Sequence, residues 1–242
     1  MIKKMHFATL PSTNTWAKEH LLELDRDALT VITADEQTAG RGRFKRSWIS
    51  PKGCNLYATY VFFIDAIDES VRHISQVLAL SAYKILQPWV PHVKLKWPND
   101  LVIDQKKLGG ILCELSEAPP HWAVITGIGI NINMPKSILE TIDRPATSLM
   151  EECGLALERS KIEEALNAQF QSDLQELKQR GFLPFLNTFK EALIHRPNET
   201  LRFHDFQKEI RGTFQGINAD GSLNLQLPDG TIKRCMSGEI IT

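Results

Sequence analysis

No charge of either sign predominates in this sequence: 28 Lys and Arg stand against 29 Asp and Glu in 242 residues, a formal net charge of −1. That balance removes the overall basic excess expected of many nucleic-acid binders, although a local patch can survive it. Long apolar runs are missing too. The longest, such as LYATYVFFI at 56–64, fall far short of a membrane span. The amino terminus MIKKMHFATL carries two lysines with no apolar stretch behind them, so no secretory signal is read and the cytoplasm is the expected compartment. Cysteine is sparse: Cys54, Cys113, Cys153 and Cys235 lie far apart with no CxxC pair, which excludes a zinc ribbon or redox dithiol and leaves the expectation of reduced, buried thiols. The seven histidines form no HExxH, and neither a GxSxG elbow nor a GxxxxGK phosphate loop occurs. Zinc hydrolase, α/β-hydrolase and P-loop chemistry are therefore unsupported.

What is present is the composition of an ordinary soluble globular protein, 43% hydrophobic and 24% charged with a mean hydropathy of −0.20. At roughly 150 residues per domain, the length allows one large domain, or one of ordinary size with a small appendage. Helical periodicity appears near 14–24, 70–87, 159–178 and 182–194. Between these lie β-rich runs: LTVITADE, NLYATYVFFI, VKLKW, LGGILCEL and HWAVITGIGINI. Several are too apolar to keep a solvated face, so a central sheet covered by helices is expected. The helical pattern stops at Arg196-Pro197-Asn198. Beyond it, ETLRF, EIRGTFQGI, SLNLQL, TIKRC and GEIIT are separated by NADG and PDG turns. Such a meander suits a small SH3-like barrel, giving expected units of 1–196 and 197–242.

Four segments carry candidate chemistry. In GRGRFKRSW, residues 40–48, two glycines sit among Arg41, Arg43, Lys45 and Arg46; backbone N–H groups and guanidinium forks can converge there on a phosphate or carboxylate. A bare charge run is also the ordinary signature of a solvated loop. In KWPND, Asn99 and Asp100 follow a proline-forced turn and offer acceptors to a ribose, a metal or an amine, or merely an Asx turn. In KKLGGIL, Gly109 and Gly110 follow Lys107, and paired glycines entering a strand suggest close approach of a ligand or another backbone. Lys106, of equal charge, is expected on the opposite side of the strand. GIGIN, residues 127–131, lacks the third glycine of a dinucleotide fingerprint and lies inside an apolar strand, so that reading is rejected. LPSTNTWAK reads as helix capping by Ser12, Thr13 or Asn14.

Taken in order, PSTNTWA, DEQTAGRGRFKRSWISPKGCNLY, VKLKWPNDL, KKLGGILCE, GIGININ and a terminal GEI closely resemble biotin protein ligase. The likeness spans almost the whole chain. It implies an α+β fold with a mixed central sheet flanked by helices, related to class II aminoacyl-tRNA synthetases, and a C-terminal SH3-like barrel. It also implies ATP-dependent formation of biotinyl-5′-AMP and transfer of biotin to a lysine of the biotin carboxyl carrier protein of acetyl-CoA carboxylase. Lys107 and Arg43 take the catalytic positions. Ser12, Thr13, Asn14, Gln37, Arg41, Gly42, Arg43, Lys107, Gly109 and Gly110 take the biotin-binding ones. Arg41, Arg43, Trp48, Lys96, Asn99 and Asn131 fall on the adenylate side, and Asp100 toward the acceptor lysine. Mg²⁺ is implied with ATP, with no residue singled out as its ligand.

Two features are particular to this sequence. Lys45 stands where the resembling loops commonly have glycine, so a left-handed backbone there carries a cost. The segment 40–48 is expected to be mobile until an anion gathers its four cations. The STN motif begins at Ser12, leaving 11 residues before it, and so no DNA-binding domain, operator repression or specific DNA contact is expected. No membrane contact is expected either; a homodimer is in keeping with the resemblance. Lipoate protein ligase, sharing the fold and adenylation chemistry, and a nucleic-acid binder using the basic loop remain the alternatives.

Overall fold

The computed structural model describes every residue except Phe206 and Thr242, the latter closing the GEIIT run. In chain order the elements are β1 (Ile2–Leu10), α1 (Thr13–Glu19), β2 (Leu29–Gln37), β3 (Leu56–Ile64), α2 (Ile74–Leu86), β4 (Lys94–Lys96), β5 (Asp100–Ile103), β6 (Lys106–Ala118) and β7 (His121–Ile130). Then follow α3 (Lys136–Leu139), α4 (Leu149–Cys153), α5 (Arg159–Arg180), α6 (Leu186–Ala192), β8 (Thr200–His204), β9 (Glu209–Ile217), β10 (Leu223–Gln226), β11 (Ile232–Cys235) and β12 (Glu239–Ile241).

Seven strands form a mixed sheet in the order β1-β2-β3-β7-β6-β5-β4, in which only β1 and β2 run parallel. Both faces are covered, as the apolar strands require. Val31, Ala58, Tyr60, Val124 and Ile128 pack with α2, α5 and α6, whereas Ile32, Val61, Ala123 and Ile125 pack with Ala17 of α1 on the other side. Alternate residues of one strand thus enter opposite core layers. β1 was not anticipated. It is an edge strand with several exposed positions, so its polar text hides the alternation.

The second sheet, β11-β10-β9-β8-β12, is antiparallel throughout and matches the expected meander strand for strand. Leu201, Phe203, Phe214, Leu223, Leu225 and Ile240 belong to the same buried apolar cluster as the α2 face of the large sheet. Across this seam Gln76 and Trp97 both donate to the Gly221 carbonyl, at 2.9 and 3.0 Å. The cysteine expectation needs correction: all four thiols are free, but only Cys235 is buried. Among the described residues no helix is long and apolar enough to cross a membrane.

Candidate active site

The site lies on the α1 face of the main sheet, and strand register lays its floor. Asp100, Gly110, Gly129 and Tyr57 are successive partners across β5, β6, β7 and β3; Leu112, Gly127 and Thr59 form the next row. Directly opposed residues share a face, and the row beyond, Glu114, Ile125 and Val61, leads under α1. Three glycines therefore leave a strip without side chains where the apolar cover ends. A Cβ on Gly127 would overlap the Asn14 carboxamide, and one on Gly129 would overlap the Trp48 indole. Above this strip is a cavity of about 340 Å³.

At one end the lining is polar and uncharged. Ser12 caps α1, its hydroxyl accepting from the Thr15 N–H at 3.5 Å. The Thr13 N–H and hydroxyl both donate to Gln37 Oε1, at 2.9 and 3.1 Å, while Gln37 Nε2 donates to Ser50 at 3.0 Å. Asn14 Nδ2 donates to Leu112 O at 3.2 Å and to Glu114 Oε2 at 2.9 Å, and its Oδ1 accepts from the Thr59 hydroxyl at 2.7 Å. Both Asn14 amide hydrogens are thereby used. Among the described residues, this leaves one Asn14 Oδ1 lone pair, one Gln37 amide hydrogen and the Ser12 hydroxyl hydrogen for a ligand.

The other end is cationic. Lys107 Nζ lies 2.8 Å from Asp100 and 5.6 Å from the Trp48 ring centroid. Lys107 faces Gly110 rather than Gly109 because the β5–β6 register shifts between Leu101 and Val102, a bulge that breaks the alternation. Arg43 donates to Asn99 Oδ1 at 3.1 Å and to the Gly238 carbonyl at 2.9 Å, and Arg46 pairs with Glu239. Burial lowers the Arg43 guanidinium from its usual pKa against the pull of Asp100 and Glu239, and burial likewise lowers Lys96. Burial would raise Glu239, but the hydrogen bond and charge of Arg46 bring it below the usual carboxylate range. The segment from Thr141 to Ala146 borders the cavity, fastened by the Lys107 N–H to the Pro145 carbonyl at 2.9 Å.

Ser12, Thr13, Asn14, Gln37, Arg41, Gly42, Arg43, Trp48, Lys96, Asn99, Asp100, Lys107, Gly110 and Asn131 all border this one cavity. Gly109 does not; its missing Cβ faces the Gly129 carbonyl and Leu101, which makes it a strand-packing glycine. Asn131 is buried, donating to Thr147 O at 3.0 Å and accepting from Asn55 at 3.4 Å. Lys106 turns away from the cavity, its Nζ 3.7 Å from Glu152. The basic loop forms a small hairpin, with Arg41 bridged to Ser47 and the Trp48 N–H donating to Gly40 O at 2.9 Å. Phe44 and Lys45 both sit at left-handed φ, 58° and 59°. The cost foreseen at Lys45 is thus located, and Phe44 shares it. Mutual repulsion is an incomplete account of the loop's cations, because Glu114 and Glu239 already offset Arg41 and Arg46.

Sequence reasoning missed Thr59, Ser50, Glu114, Glu239 and the role of Gly127 and Gly129. The only signal for the glycines was their i, i+2 spacing in an apolar strand, which puts both on one face.

This chain matches the family model described as the biotin/lipoate A/B protein ligase family over residues 6–131, and that of the biotin protein ligase C-terminal domain over 202–242. It belongs to the biotin/lipoate A/B protein ligase family. It is 32% identical over 238 residues to the bifunctional ligase/repressor BirA of Escherichia coli, covering 96% of this chain and 73% of that protein. It is also 32% identical over 206 residues to the biotin-acetyl-CoA-carboxylase ligase of Paracoccus denitrificans, covering 82% and 85% of the two chains. Among solved structures it resembles a biotin protein ligase from Aquifex aeolicus in complex with biotin and ATP, with a TM-score of 0.81 and 28% identity over 99% of this chain and 97% of that one.

Proposed function

We infer that this protein is an ATP-dependent biotin protein ligase. The observation that carries the reading is the unused hydrogen-bonding capacity of the polar end: one acceptor on Asn14 and donors on Gln37 and Ser12. A cyclic urea has N–H donors beside a carbonyl acceptor and can satisfy that set. The dithiolane ring of lipoate has neither, and would leave buried polar groups unpaired at about 1–3 kcal/mol each.

With the ureido ring there, the valeryl arm runs over the glycine strip and its carboxylate reaches Lys107. A carboxylate oxygen attacks the α-phosphorus of ATP, the bond from that phosphorus to the bridging oxygen breaks, and pyrophosphate leaves. Both reactants are anions, so Lys107, Arg43 and Lys96 act by offsetting charge where it accumulates. Trp48 and Asn131 are assigned to the adenine side. The neutral amine of the acceptor lysine then attacks the acyl carbon, the carbon–oxygen bond to AMP breaks, and the amine sheds a proton on the side where Asp100 lies. Mg²⁺ that accompanies a nucleotide is held mainly by the phosphates with one or two carboxylates. Asp100 and Glu239, both bordering the cavity, are the residues that would hold it, and it would supply further charge neutralisation at the phosphates.

We assign residues 1–196 to the catalytic unit and 197–242 to the barrel, which lends Glu239 and Ile240 to the cavity. The name of the Paracoccus relative supports the carrier of acetyl-CoA carboxylase as acceptor, and ATP dependence suits a cytoplasmic reaction. The test is incubation with MgATP and either biotin or lipoate, detecting the acyl-adenylate by mass spectrometry, followed by labelling of that carrier. Biotinyl-AMP alone is expected; lipoyl-AMP at a comparable rate refutes the assignment.

A further inference from the structure

Glu114 stands outside the cavity wall, on the row beyond the floor, yet it bonds two residues that line the cavity, Asn14 and Arg41. Its Oε2 accepts from Asn14 Nδ2 at 2.9 Å and from Arg41 Nη2 at 3.1 Å; its other oxygen is 3.4 Å from the same guanidinium nitrogen. The side chain is 22% exposed, and no other carboxylate among the described residues pairs with Arg41. Asn14 is buried, its carboxamide lying against the bare backbone of Gly127. Its orientation is settled by which neighbours accept and which donate. Leu112 O and Glu114 can only accept, so Nδ2 must face them and Oδ1 must face the cavity side with Thr59.

We propose that Glu114 is a positioning residue for the ligase reaction, one carboxylate presenting Asn14 as an obligate acceptor for a ring N–H and holding Arg41 at the cavity mouth. The assignment rests on the biotin reading above. It makes the two ends interdependent: an unlocked Asn14 loosens the ureido subsite, and a released Arg41 loosens the hairpin that carries Arg43 and Trp48. Glutamine at this position weighs mainly on one of the two roles. Its carbonyl, in the place of Oε2, can still accept from Asn14, while the ion pair with Arg41 loses its charge and an amide group stands where the second carboxylate oxygen lies 3.4 Å from the guanidinium.

The experiment compares Glu114→Gln and Glu114→Ala with the wild type by biotin titration calorimetry, by the KM and kcat of biotinyl-AMP formation, and by thermal unfolding. Glu114→Gln, nearly isosteric, should bind biotin within about threefold of wild type but lose tenfold or more in kcat. Glu114→Ala should in addition lose about tenfold in biotin affinity, the scale of one unpaired buried group. Arg41→Gln, combined with Glu114→Gln, should cost little more than either change alone, because both break the same pair. Retention of kcat by Glu114→Gln, or full additivity of the pair, overturns the Arg41 role. Unchanged biotin affinity in a folded Glu114→Ala overturns the Asn14 role. If Glu114→Ala fails to fold, Glu114→Leu, which fills the space without accepting, takes its place under the same criterion. Failure of the wild type to bind biotin would instead refute the function itself, and calorimetry on that protein separates the two cases.

Discussion

Replacing Lys107 by alanine, with Lys106→Ala as its control, tests the electrostatics of the site most directly. The two side chains have equal charge and adjacent positions but different surroundings: Lys107 is 22% exposed with Nζ 2.8 Å from Asp100, and Lys106 is 49% exposed beside Glu152. A unit charge about 4 Å from another is worth about 4 kcal/mol at an effective dielectric of about 20. Asp100 already shares the field of Lys107, so allowing about half of that figure, about 2 kcal/mol, for transition-state stabilisation predicts a fall of about 30-fold in rate, since each 1.36 kcal/mol is roughly tenfold. Removal of Lys107 also leaves the Asp100 carboxylate unpaired before the triphosphate. The assay is the initial rate of biotin-dependent pyrophosphate release, with biotinyl-AMP confirmed by mass spectrometry and folding by circular dichroism. Lys106→Ala should stay within about twofold of wild type, as expected for an exposed pair. If Lys106→Ala loses activity while Lys107→Ala keeps it, the strand register at the site is wrong; if neither loses activity, the turn has no electrostatic role.

Gly127→Ala should abolish measurable biotin binding by displacing Asn14, whereas Gly129→Ala should raise the KM for ATP by displacing Trp48 and spare biotin affinity; calorimetry with each ligand checks the split, and equal effects on both ligands would refute it. His195 is 7% exposed with neither ring nitrogen hydrogen-bonded, and burial pushes its pKa down to about 4 against the pull of Glu199. The unfolded chain, titrating near 6.5, binds the proton more readily, so the stability tied to neutral His195 is complete above about pH 6.5 and is lost toward pH 4, about 3 kcal/mol in all. Urea unfolding at pH 7 and pH 4.5 should show that loss, and His195→Phe should reduce it; an equal pH slope in both proteins counts against the burial argument. Lys45→Gly removes a left-handed penalty of about 1–2 kcal/mol against a loss of chain stiffness of similar size. It should keep activity, while Lys45→Ile, β-branched at φ 59°, should raise the KM for biotin in steady-state assays.

Much of the fold could be read from periodicity because its strands are buried on both faces. LYATYVFFI and HWAVITGIGI lack polar alternation for that reason; the helix at 159–180 carries one apolar face, and that at 74–86 is buried almost all round. β1 escaped because an edge strand is shaped by what covers it, and Ile2–Leu10 leaves half of its text to solvent. The change from helix to short strands between Ala192 and Thr200 was legible, yet the second sheet's share in the main core was not. That contact depends on Trp97 and Phe203, ring centroids 5.8 Å apart, and on a carbonyl at Gly221, more than a hundred residues from its donors in the sequence.

The site was legible where a residue's chemistry is unusual for its place, as with four cations in one loop or a lysine before paired glycines. It was illegible where function is carried by what a residue omits or by what stands behind it. Gly127 and Gly129 fail as a dinucleotide fingerprint, and the failure is informative: their spacing suits a strand, where two residues apart means one face. On that face a missing Cβ is room for another residue's side chain, Asn14 in one case and Trp48 in the other. Glu114, in turn, drew no reading from the sequence, because its partners are 100 and 73 positions away. Only register connects them. Thr59, Gly127 and Leu112 form one row and Val61, Ile125 and Glu114 the next, so a slip of one residue in β6 would move Glu114 to the α2 face and take its carboxylate from both Asn14 and Arg41. The geometry of the ligand pocket is thus set by strand pairing, and the paired sheet has to be complete before either end of the site can exist.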